Sequence, residues 1–242
     1  MRAREPLISP IVPGALFIPN DADVDNRALT NALCVALSKL GVVVRENCVV
    51  DTLVVGQGRV RAIVASCGTV SCDAVILACG AWMNLLNISS GLPPVKPAKG
   101  QMIAVEPQAG ETLPKSLIWN DDVYLVPRNG RVLIGATVED AGFDTSVTRE
   151  ACLRLVAAAT RIFPRLVQWR VSEMWAGLRP RTPDDAPVLG KTEVEGLYVA
   201  GGQFRNGILF APAVADAISA LVLNNINAPE LAPFTPLRFN AA

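Results

Sequence analysis

The sequence contains no histidine among its 242 residues. Without an imidazole, the chain cannot perform Ser-His-Asp or Cys-His nucleophilic catalysis, and it cannot ligate a metal or attach a cofactor through histidine. Six cysteines are present but none forms a CxxC pair, so a zinc site is not indicated. We expect these thiols to be reduced and mostly buried. Any chemistry must therefore use arginine, tyrosine, carboxylates, backbone amides or a cofactor.

The chain also lacks an excess of charge of either sign. Lys plus Arg and Asp plus Glu both number 22, which gives a formal net charge of zero. No basic field is therefore available to attract nucleic acid or an anionic membrane surface. We expect no charged macromolecule as a partner.

Long hydrophobic runs are missing as well. The longest, such as residues 75–81 and 208–215, are much shorter than the roughly 20 residues of a membrane helix, so no membrane span is expected. The basic N-terminus is not followed by an apolar segment or a cleavage site, so no secretory signal is predicted. With a hydrophobic content of 51%, these features indicate a globular, soluble and cytoplasmic protein.

The sequence also lacks a dinucleotide-binding fingerprint. No strand is followed by a GxGxxG turn and a helix, the arrangement that places a pyrophosphate at a helix N-terminus. The nearest match is Gly56-Gln-Gly58, but Arg61 stands at the third glycine position and the surrounding pattern is that of a β-hairpin.

The first third of the chain reads as helix, strand and hairpin. Apolar residues at helical spacing predict an amphipathic helix over residues 25–40, ended at Gly41. A short strand is predicted over residues 41–45, and two more flank the turn at residues 56–58. Residues 73–78 form a continuous apolar run, which is typical of a strand buried on both faces.

The middle of the chain predicts an antiparallel sheet. Strands are expected over residues 101–106, 116–119, 123–127 and 131–137, and Asn129-Gly130 is a strong hairpin signal. A helix follows over residues 148–163 and ends at Pro164. The remaining predictions are strands at 171–178 and 196–200, a helix over 212–224, and an irregular tail from Ala228.

Four clusters combine glycine, arginine and aromatic residues where loops meet apolar strands. They cover residues 77–82, 124–128, 175–184 and 200–207. Each cluster has an ordinary structural interpretation when taken alone: the arginines as surface ion pairs, Tyr124 as a half-buried sheet residue, and the glycines as turn residues. Their order and spacing carry more information than any one of them.

Six segments in order resemble the D-amino-acid oxidase superfamily of FAD-dependent enzymes and, within it, the glycine oxidases of the thiamine pathway. The segments are Gly14–Ile18 with Asp23–Asp25, Val75–Trp82, Pro97–Gln101, Tyr124–Arg128 with Ile134–Thr137, Trp175–Pro180, and Phe204–Leu209 with Ala211–Pro212. The resemblance extends from about Arg4 to Leu223.

The resemblance implies a mixed α/β (α+β) fold: the C-terminal portion of a glutathione-reductase-type FAD-binding fold, interleaved with an antiparallel-sheet substrate-binding domain. Residues 1–91 and 186–227 are expected in the remainder of the FAD-binding lobe, 92–185 in the substrate-binding domain, and 228–242 in the tail. The N-terminal FAD-binding βαβ unit has no counterpart. A fragment of a longer protein, a subunit whose partner or second copy supplies the nucleotide lobe, and a degenerate protein all remain open.

The resemblance also assigns site residues. Arg179 matches the arginine that grips the substrate carboxylate, Tyr124 the tyrosine that adds a second hydrogen bond to it, and Arg205 the arginine near the substrate and the flavin edge. The expected cofactor-binding positions lie in four segments: Val50, Ala78, Cys79 and Gly80 with Trp82, Gly202, and Asn206, Gly207, Ile208 and Leu209. No metal site is expected.

The resemblance implies oxidation of the C–N bond of glycine, sarcosine or a D-amino acid to an imine, with FAD as cofactor and with dioxygen or a quinone as acceptor. Two positions depart from the family, because Asp122 and Gln203 stand where many glycine oxidases have histidine. A D-amino-acid dehydrogenase that reduces a quinone, and a non-catalytic subunit that has lost FAD, are the alternatives.

Overall fold

A computed structural model describes residues 1–86 and 92–239 of the chain. The chain divides into two compact units. Unit 1 comprises Met1–Asp25 and Lys99–Leu178, and unit 2 comprises Asn26–Ala98 and Arg179–Ala242. The predicted mixed α/β fold class is confirmed, since the described residues combine α-helices with sheets that are mostly antiparallel.

Unit 1 is built on a five-stranded sheet in the order β6-β7-β8-β5-β9. The strands are β5 (Lys96–Glu106), β6 (Ile118–Trp119), β7 (Tyr124–Arg128), β8 (Arg131–Gly135) and β9 (Arg170–Arg181). Neighbours β6, β7, β8 and β5 pair antiparallel. The predicted hairpin at Asn129-Gly130 is confirmed, because both residues have positive φ, at 52° and 78°.

The core of unit 1 lies between this sheet and helix α2 (Arg149–Ile162). Thr148 caps the helix by accepting a hydrogen bond from the Ala151 amide. Leu155 and Ile162 pack with Ile134 and Phe163 in one buried cluster. Each such side chain contributes roughly 1.5–3 kcal/mol when it leaves water.

One charged side chain is fully buried in unit 1. Lys99 on β5 is 1% exposed, and its Nζ donates to Asp144 Oδ2 at 2.8 Å. The ammonium and two hydrogen bonds from Ser146 lower the pKa of Asp144 to about 2. A buried lysine needs such a carboxylate because an unpaired buried charge is strongly destabilising.

The N-terminal segment belongs to unit 1, which differs from the expected assignment of residues 1–25 to the cofactor lobe. The Ser9 amide donates to the Ile162 carbonyl at 2.8 Å, and Glu5 accepts from the Lys115 amide at 3.1 Å. Arg128 at the end of β7 pairs with Asp23. These contacts attach the extended, proline-rich opening to the antiparallel unit.

Unit 2 contains two three-stranded sheets and two long helices. One sheet has the antiparallel order β1-β2-β3, formed by Val50–Gly56, Arg59–Ala65 and Gly68–Ser71. The other has the order β10-β11-β4, formed by Val188–Lys191, Leu197–Gly201 and Val75–Leu77. The helices are α1 (Asn26–Lys39) and α3 (Gly207–Asn224). Short 3₁₀ helices cover Gly80–Leu85, Pro229–Phe234 and Pro236–Phe239.

The two sheets of unit 2 share one core. Leu53 and Val60 pack with Leu77, Val188 and Val199 in a buried cluster. The β2 strand is also joined to the second sheet through its backbone, since the Val60 amide donates to the Glu195 carbonyl at 2.9 Å. A second cluster lies between β10 and α3.

Several predictions for unit 2 were wrong. Residues 41–45 form no strand; their valines are exposed and have no strand partner among the described residues. The strand β4 is not buried on both faces, because Ile76 is 45% exposed. Helix α3 begins at Gly207 rather than Pro212, and the tail folds into 3₁₀ turns through residue 239. Strands β3 and β10 were not predicted.

The cysteines also differ from expectation. Cys48 and Cys67 form a disulfide with a Cα–Cα distance of 5.3 Å, and Cys34 is exposed. The pair joins the segment before β1 to the β2–β3 turn, where the Val49 amide donates to Ser66 Oγ and the Ser66 amide to the Val49 carbonyl. These contacts bring Cys48 and Cys67 within bonding range.

Helix α3 is long and apolar enough to cross a membrane, judged by length and composition alone, and little of it is buried. The sequence-based expectation of no membrane span rested on uninterrupted apolar runs, of which residues 208–215 are one, and not on the whole helix. Core helices of soluble proteins pass the same test, so the finding assigns no membrane location.

Candidate functional site

Two glycine-containing turns meet at one edge of a sheet in unit 2. Strands β4 and β11 pair in parallel, from Leu197 opposite Val75 to Val199 opposite Leu77. Their carboxyl ends therefore lie at the same edge, which is where open α/β sheets bind ligands. The turn after β4 contains Ala78, Cys79 and Gly80, and the turn after β11 contains Gly202.

The backbone at this edge has little room for side chains. A Cβ added to Gly201 would clash with the buried Met83 side chain, and one added to Gly202 would lie 2.7 Å from Thr182 Cγ2. Gly80 and Gly202 also have positive φ, at 53° and 67°. Glycine is therefore required at positions 201 and 202, where both residues are buried against neighbouring side chains.

The chain then makes a constrained turn into helix α3. Phe204 adopts a left-handed φ of 45°, and its amide donates to the Pro180 carbonyl at 2.9 Å. The Asn206 amide donates to the Gln203 carbonyl, and the helix begins at Gly207. Asn206 makes no side-chain capping bond, so the first amides of α3 present the positive end of the helix dipole.

The predicted residues at the start of α3 are accessible. Asn206 is exposed, Gly207 is half-buried, and the side chains of Ile208 and Leu209 are 43% and 73% exposed. The structure thus brings Ala78, Cys79, Gly80, Gly202 and the start of α3 into one unit, around one sheet edge and the turn that follows it. Trp82, on the 3₁₀ helix after β4, is 49% exposed.

Val50 lies in the other sheet of unit 2, at the start of β1. It is half-buried and follows the disulfide-linked Cys48 by two residues. Cys79 differs from Cys48 in being a free thiol, and its burial raises its pKa. Neither cysteine resembles an activated nucleophile, which requires a lowered pKa.

Three arginines of unit 2 are near this turn in the sequence. Arg179 is half-buried on β9, Arg205 is exposed, and Arg181 is exposed at the end of β9. The Phe204 ring contacts two of them, with the Arg181 and Arg205 guanidinium carbons 5.0 Å and 5.2 Å from its centroid. Arg179 and Arg205 were predicted from the resemblance.

Arg181 makes a bidentate ion pair that sequence reasoning missed. Its Nε and a terminal nitrogen donate to the two carboxylate oxygens of Asp185 at 2.6 Å and 3.0 Å. These bonds are the main cause that lowers the pKa of Asp185, and the charge of Arg205 adds to the effect. The only sequence signal was a four-residue spacing outside any helix, which does not predict a pair.

The same turn is tied to the C-terminal segment. Arg238 donates to both carboxylate oxygens of Asp184, at 2.8 Å and 3.1 Å, and to the Ala186 carbonyl. The hydrogen bonds from Arg238 lower the pKa of Asp184 to about 2. The Thr182 hydroxyl donates to the Ala186 carbonyl, which closes the turn from within.

The third predicted catalytic residue, Tyr124, lies in unit 1 at the start of β7. Its hydroxyl donates to Met102 Sδ at 3.4 Å, and its ring covers Gly135 on β8. A Cβ added to Gly135 would lie 2.5 Å from the tyrosine hydroxyl. The strand pairing of Tyr124 with Gly135 was beyond the sequence prediction, although the Asn129-Gly130 turn fixes that register.

Within residues 1–86 and 92–239, no group of three or more Cys, Asp or Glu side chains is placed to hold a metal ion.

Comparison with known proteins identifies the family of this chain. It is 38% identical to the bifunctional protein ThiO/ThiG of Synechocystis sp. (strain ATCC 27184 / PCC 6803 / Kazusa), over 99% of this chain and 36% of that protein. It is 34% identical to the glycine oxidase of Pseudomonas putida, over 96% of this chain and 64% of that protein. The chain thus spans less than two thirds of the length of either relative.

A solved structure gives the same result. The glycine oxidase from Geobacillus kaustophilus superposes with a TM-score of 0.91 at 32% identity, over 98% of this chain and 64% of the other. The profile of one family, described as FAD dependent oxidoreductase, matches residues 1–221. The predicted resemblance is confirmed, and the chain belongs to this FAD-dependent oxidoreductase family.

Proposed function

We propose that the chain forms the substrate-binding and flavin-facing part of an oxidoreductase of the glycine oxidase type, which oxidises the C–N bond of a small amino acid or amine. One observation carries the proposal. The glycine turns after β4 and β11, the amino end of α3, Arg179 and Arg205 all belong to unit 2. The similarity to glycine oxidases supports the substrate class.

The residues of unit 2 fit FAD. Only glycine fits at positions 201 and 202, and they lie at the carboxyl end of β11, next to that of β4, the kind of edge where open α/β sheets bind ligands. The amino end of α3, which has no side-chain cap, places partial positive charge where a reduced flavin ring carries negative charge. When bound, FAD accepts the hydride that leaves the substrate α-carbon. Val50, the turn at residues 78–80 and Trp82 are the proposed contacts to the nucleotide half.

The proposed work of the protein side chains is to bind and orient. Arg179 offers a planar fork that matches a carboxylate in two hydrogen bonds. In unit 1, the Tyr124 hydroxyl, which here donates to the weakly accepting Met102 sulfur, is proposed as a hydrogen-bond donor to substrate. Arg205 is proposed to add positive charge near the substrate carboxylate and the flavin edge. None of these steps needs histidine.

The products and the electron acceptor belong to the proposal as well. The imine hydrolyses to an oxoacid and ammonia, and dioxygen reoxidises the flavin to give hydrogen peroxide; a quinone is the alternative acceptor. These 242 residues carry no dinucleotide fingerprint, so the proposed nucleotide contacts of this chain are limited to those named above. A cytoplasmic location is also proposed.

A visible spectrum tests the proposal. FAD is added to the purified protein, the unbound FAD is removed, and glycine, sarcosine or D-alanine is then added without oxygen. We expect a bound flavin band that bleaches with at least one of them. A protein that holds FAD but keeps the oxidised spectrum with every small amine would contradict the proposal. Failure to take up FAD at all would mean that the missing nucleotide lobe is essential for cofactor binding.

A further inference from the structure

Asp185 lies within the electrostatic reach of two arginines. It is bound by the Arg181 fork, and the charge of Arg205 also lowers its pKa. The carboxylate therefore has two candidate partners, and in this structure it pairs with Arg181. Asp185 has a left-handed φ of 57°, which the surrounding turn must maintain.

Phe204 stands between the two cations. Its ring contacts both guanidinium groups, at 5.0 Å and 5.2 Å, and its backbone is tied to the Pro180 carbonyl. Two like charges gain from an aromatic face between them because the ring attracts each one separately. The order Asp185, Arg181, Phe204, Arg205 thus forms one cluster within unit 2.

We propose that Arg181 is a positioning residue that holds the Asp185 carboxylate away from Arg205. The Arg205 guanidinium then stays available to pair with an incoming carboxylate. This inference rests on the proposed function, which assigns Arg205 to the substrate. Without the Arg181 fork, Asp185 is free to turn to Arg205 and compete with the carboxylate of the substrate. A second consequence concerns the charge of the ligand. The site prefers anionic ligands only while the Arg181 fork holds the Asp185 carboxylate.

The expected size of the effect follows from exposure. The Arg181 and Asp185 side chains are 48% and 44% exposed, so solvent weakens every interaction in the cluster. Charge pairs of this kind change an equilibrium by about two- to fivefold. We expect Arg181→Met to weaken the binding of acetate, the simplest carboxylate probe, by that factor.

Calorimetric titration of the protein with acetate tests the inference. Arg181→Met weakens binding, and Arg181→Met/Asp185→Asn restores it because the competing carboxylate is gone. In an Arg205→Ala background, Arg181→Met has no further effect. Arg165→Met, which breaks the exposed Arg165–Glu111 pair of unit 1, controls for the loss of one positive charge and leaves the affinity unchanged.

Four outcomes would overturn the inference. If Arg181→Met binds acetate as tightly as the unaltered protein, Arg181 has no positioning role. If Arg181→Met/Asp185→Asn binds acetate as weakly as Arg181→Met, Arg181 only stabilises the turn. An effect of Arg181→Met that persists without Arg205 shows direct attraction of acetate by Arg181. Failure of the proposed function is seen separately, as no acetate binding by the unaltered protein, and the inference then falls with it. Acetate binding that Arg205→Ala does not change overturns the inference alone, because Arg179 still binds the carboxylate.

Discussion

At the scale of single residues, Tyr124 illustrates how a predicted residue depends on neighbours that were not predicted. The resemblance assigned the tyrosine, but its orientation follows from Gly135, over which its ring lies. That contact arises from strand pairing, which brings together residues eleven positions apart. A sequence pattern predicts a strand more readily than it predicts which residue of the neighbouring strand a side chain will contact.

Gly135→Ala is expected to displace the Tyr124 ring and destabilise unit 1. The added methyl would lie 2.5 Å from the hydroxyl, so the ring or the strand must move, at a cost of about 1–3 kcal/mol. Gly177→Ala is the matched control, because a Cβ there meets nothing within 4 Å. Thermal unfolding and KM for glycine are measured on both. Equal behaviour of the two variants would contradict the packing described for Tyr124.

Asp144 governs acid stability through Lys99. Its pKa is lowered to about 2 from 3.8, so its stabilising effect is complete above pH 3.8 and is lost as the pH falls towards 2. Asp144→Asn is expected to lower the melting temperature at neutral pH, because Lys99 is then buried without its carboxylate. The melting temperature of the variant should also depend less on pH between about pH 4 and pH 2 than that of the unaltered protein.

Glu106→Gln is the control for that experiment, since its partner Arg170 is 73% exposed. A pair of this kind contributes little. Melting curves collected across the acid range compare the two variants. A smaller decrease in melting temperature in Asp144→Asn than in Glu106→Gln would show that the fold does not require the Lys99–Asp144 pair.

At the scale of elements, local signals predicted local structure well. The Asn129-Gly130 turn, the Thr148 cap and the amphipathic helix α1 were found where the sequence indicated them. Strands β3 and β10 were missed because they are only four residues long, too short for a clear alternation. The expected strand at residues 41–45 has high β-propensity but no pairing partner among the described residues.

The Cys48–Cys67 disulfide is expected to stabilise unit 2, because it closes the chain segment that contains the β1–β2 hairpin. Cys48 and Cys67 are separated by 19 positions, and cross-linking a loop of that size stabilises a fold by about 3 kcal/mol. Under oxidising conditions, dithiothreitol is therefore expected to lower the urea midpoint. Cys48→Ser/Cys67→Ser should show the lower midpoint with or without reductant, whereas Cys34→Ser should respond like the unaltered protein.

At the scale of the whole molecule, the extent of burial was the feature least predictable from sequence. Helix α1 has an apolar face at the predicted spacing, yet none of its residues is buried. Leu33 and Val35 are both 55% exposed, and Leu209 and Leu223 on α3 exceed 70%. Helical periodicity shows which face is apolar but does not show what covers it.

Exposed apolar helices lead to a prediction about association. We expect the purified chain to bind the dye ANS and to self-associate as its concentration rises, because contiguous apolar surface favours contact over water. Leu33→Lys is expected to reduce both effects, while Leu237→Lys, on the C-terminal 3₁₀ turn, serves as a control. Sedimentation velocity measures the association. A monomer with no ANS signal at high concentration would show that these faces are adequately solvated.

The central claim is that unit 2 presents the Arg179 fork to a substrate carboxylate beside a bound flavin. Anaerobic flavin reduction, measured against glycine concentration, tests it in the unaltered protein and in Arg179→Lys. We expect Arg179→Lys to need a much higher glycine concentration for half-maximal reduction, since a point charge replaces a bidentate fork. An identical concentration dependence in the two proteins would contradict the claim.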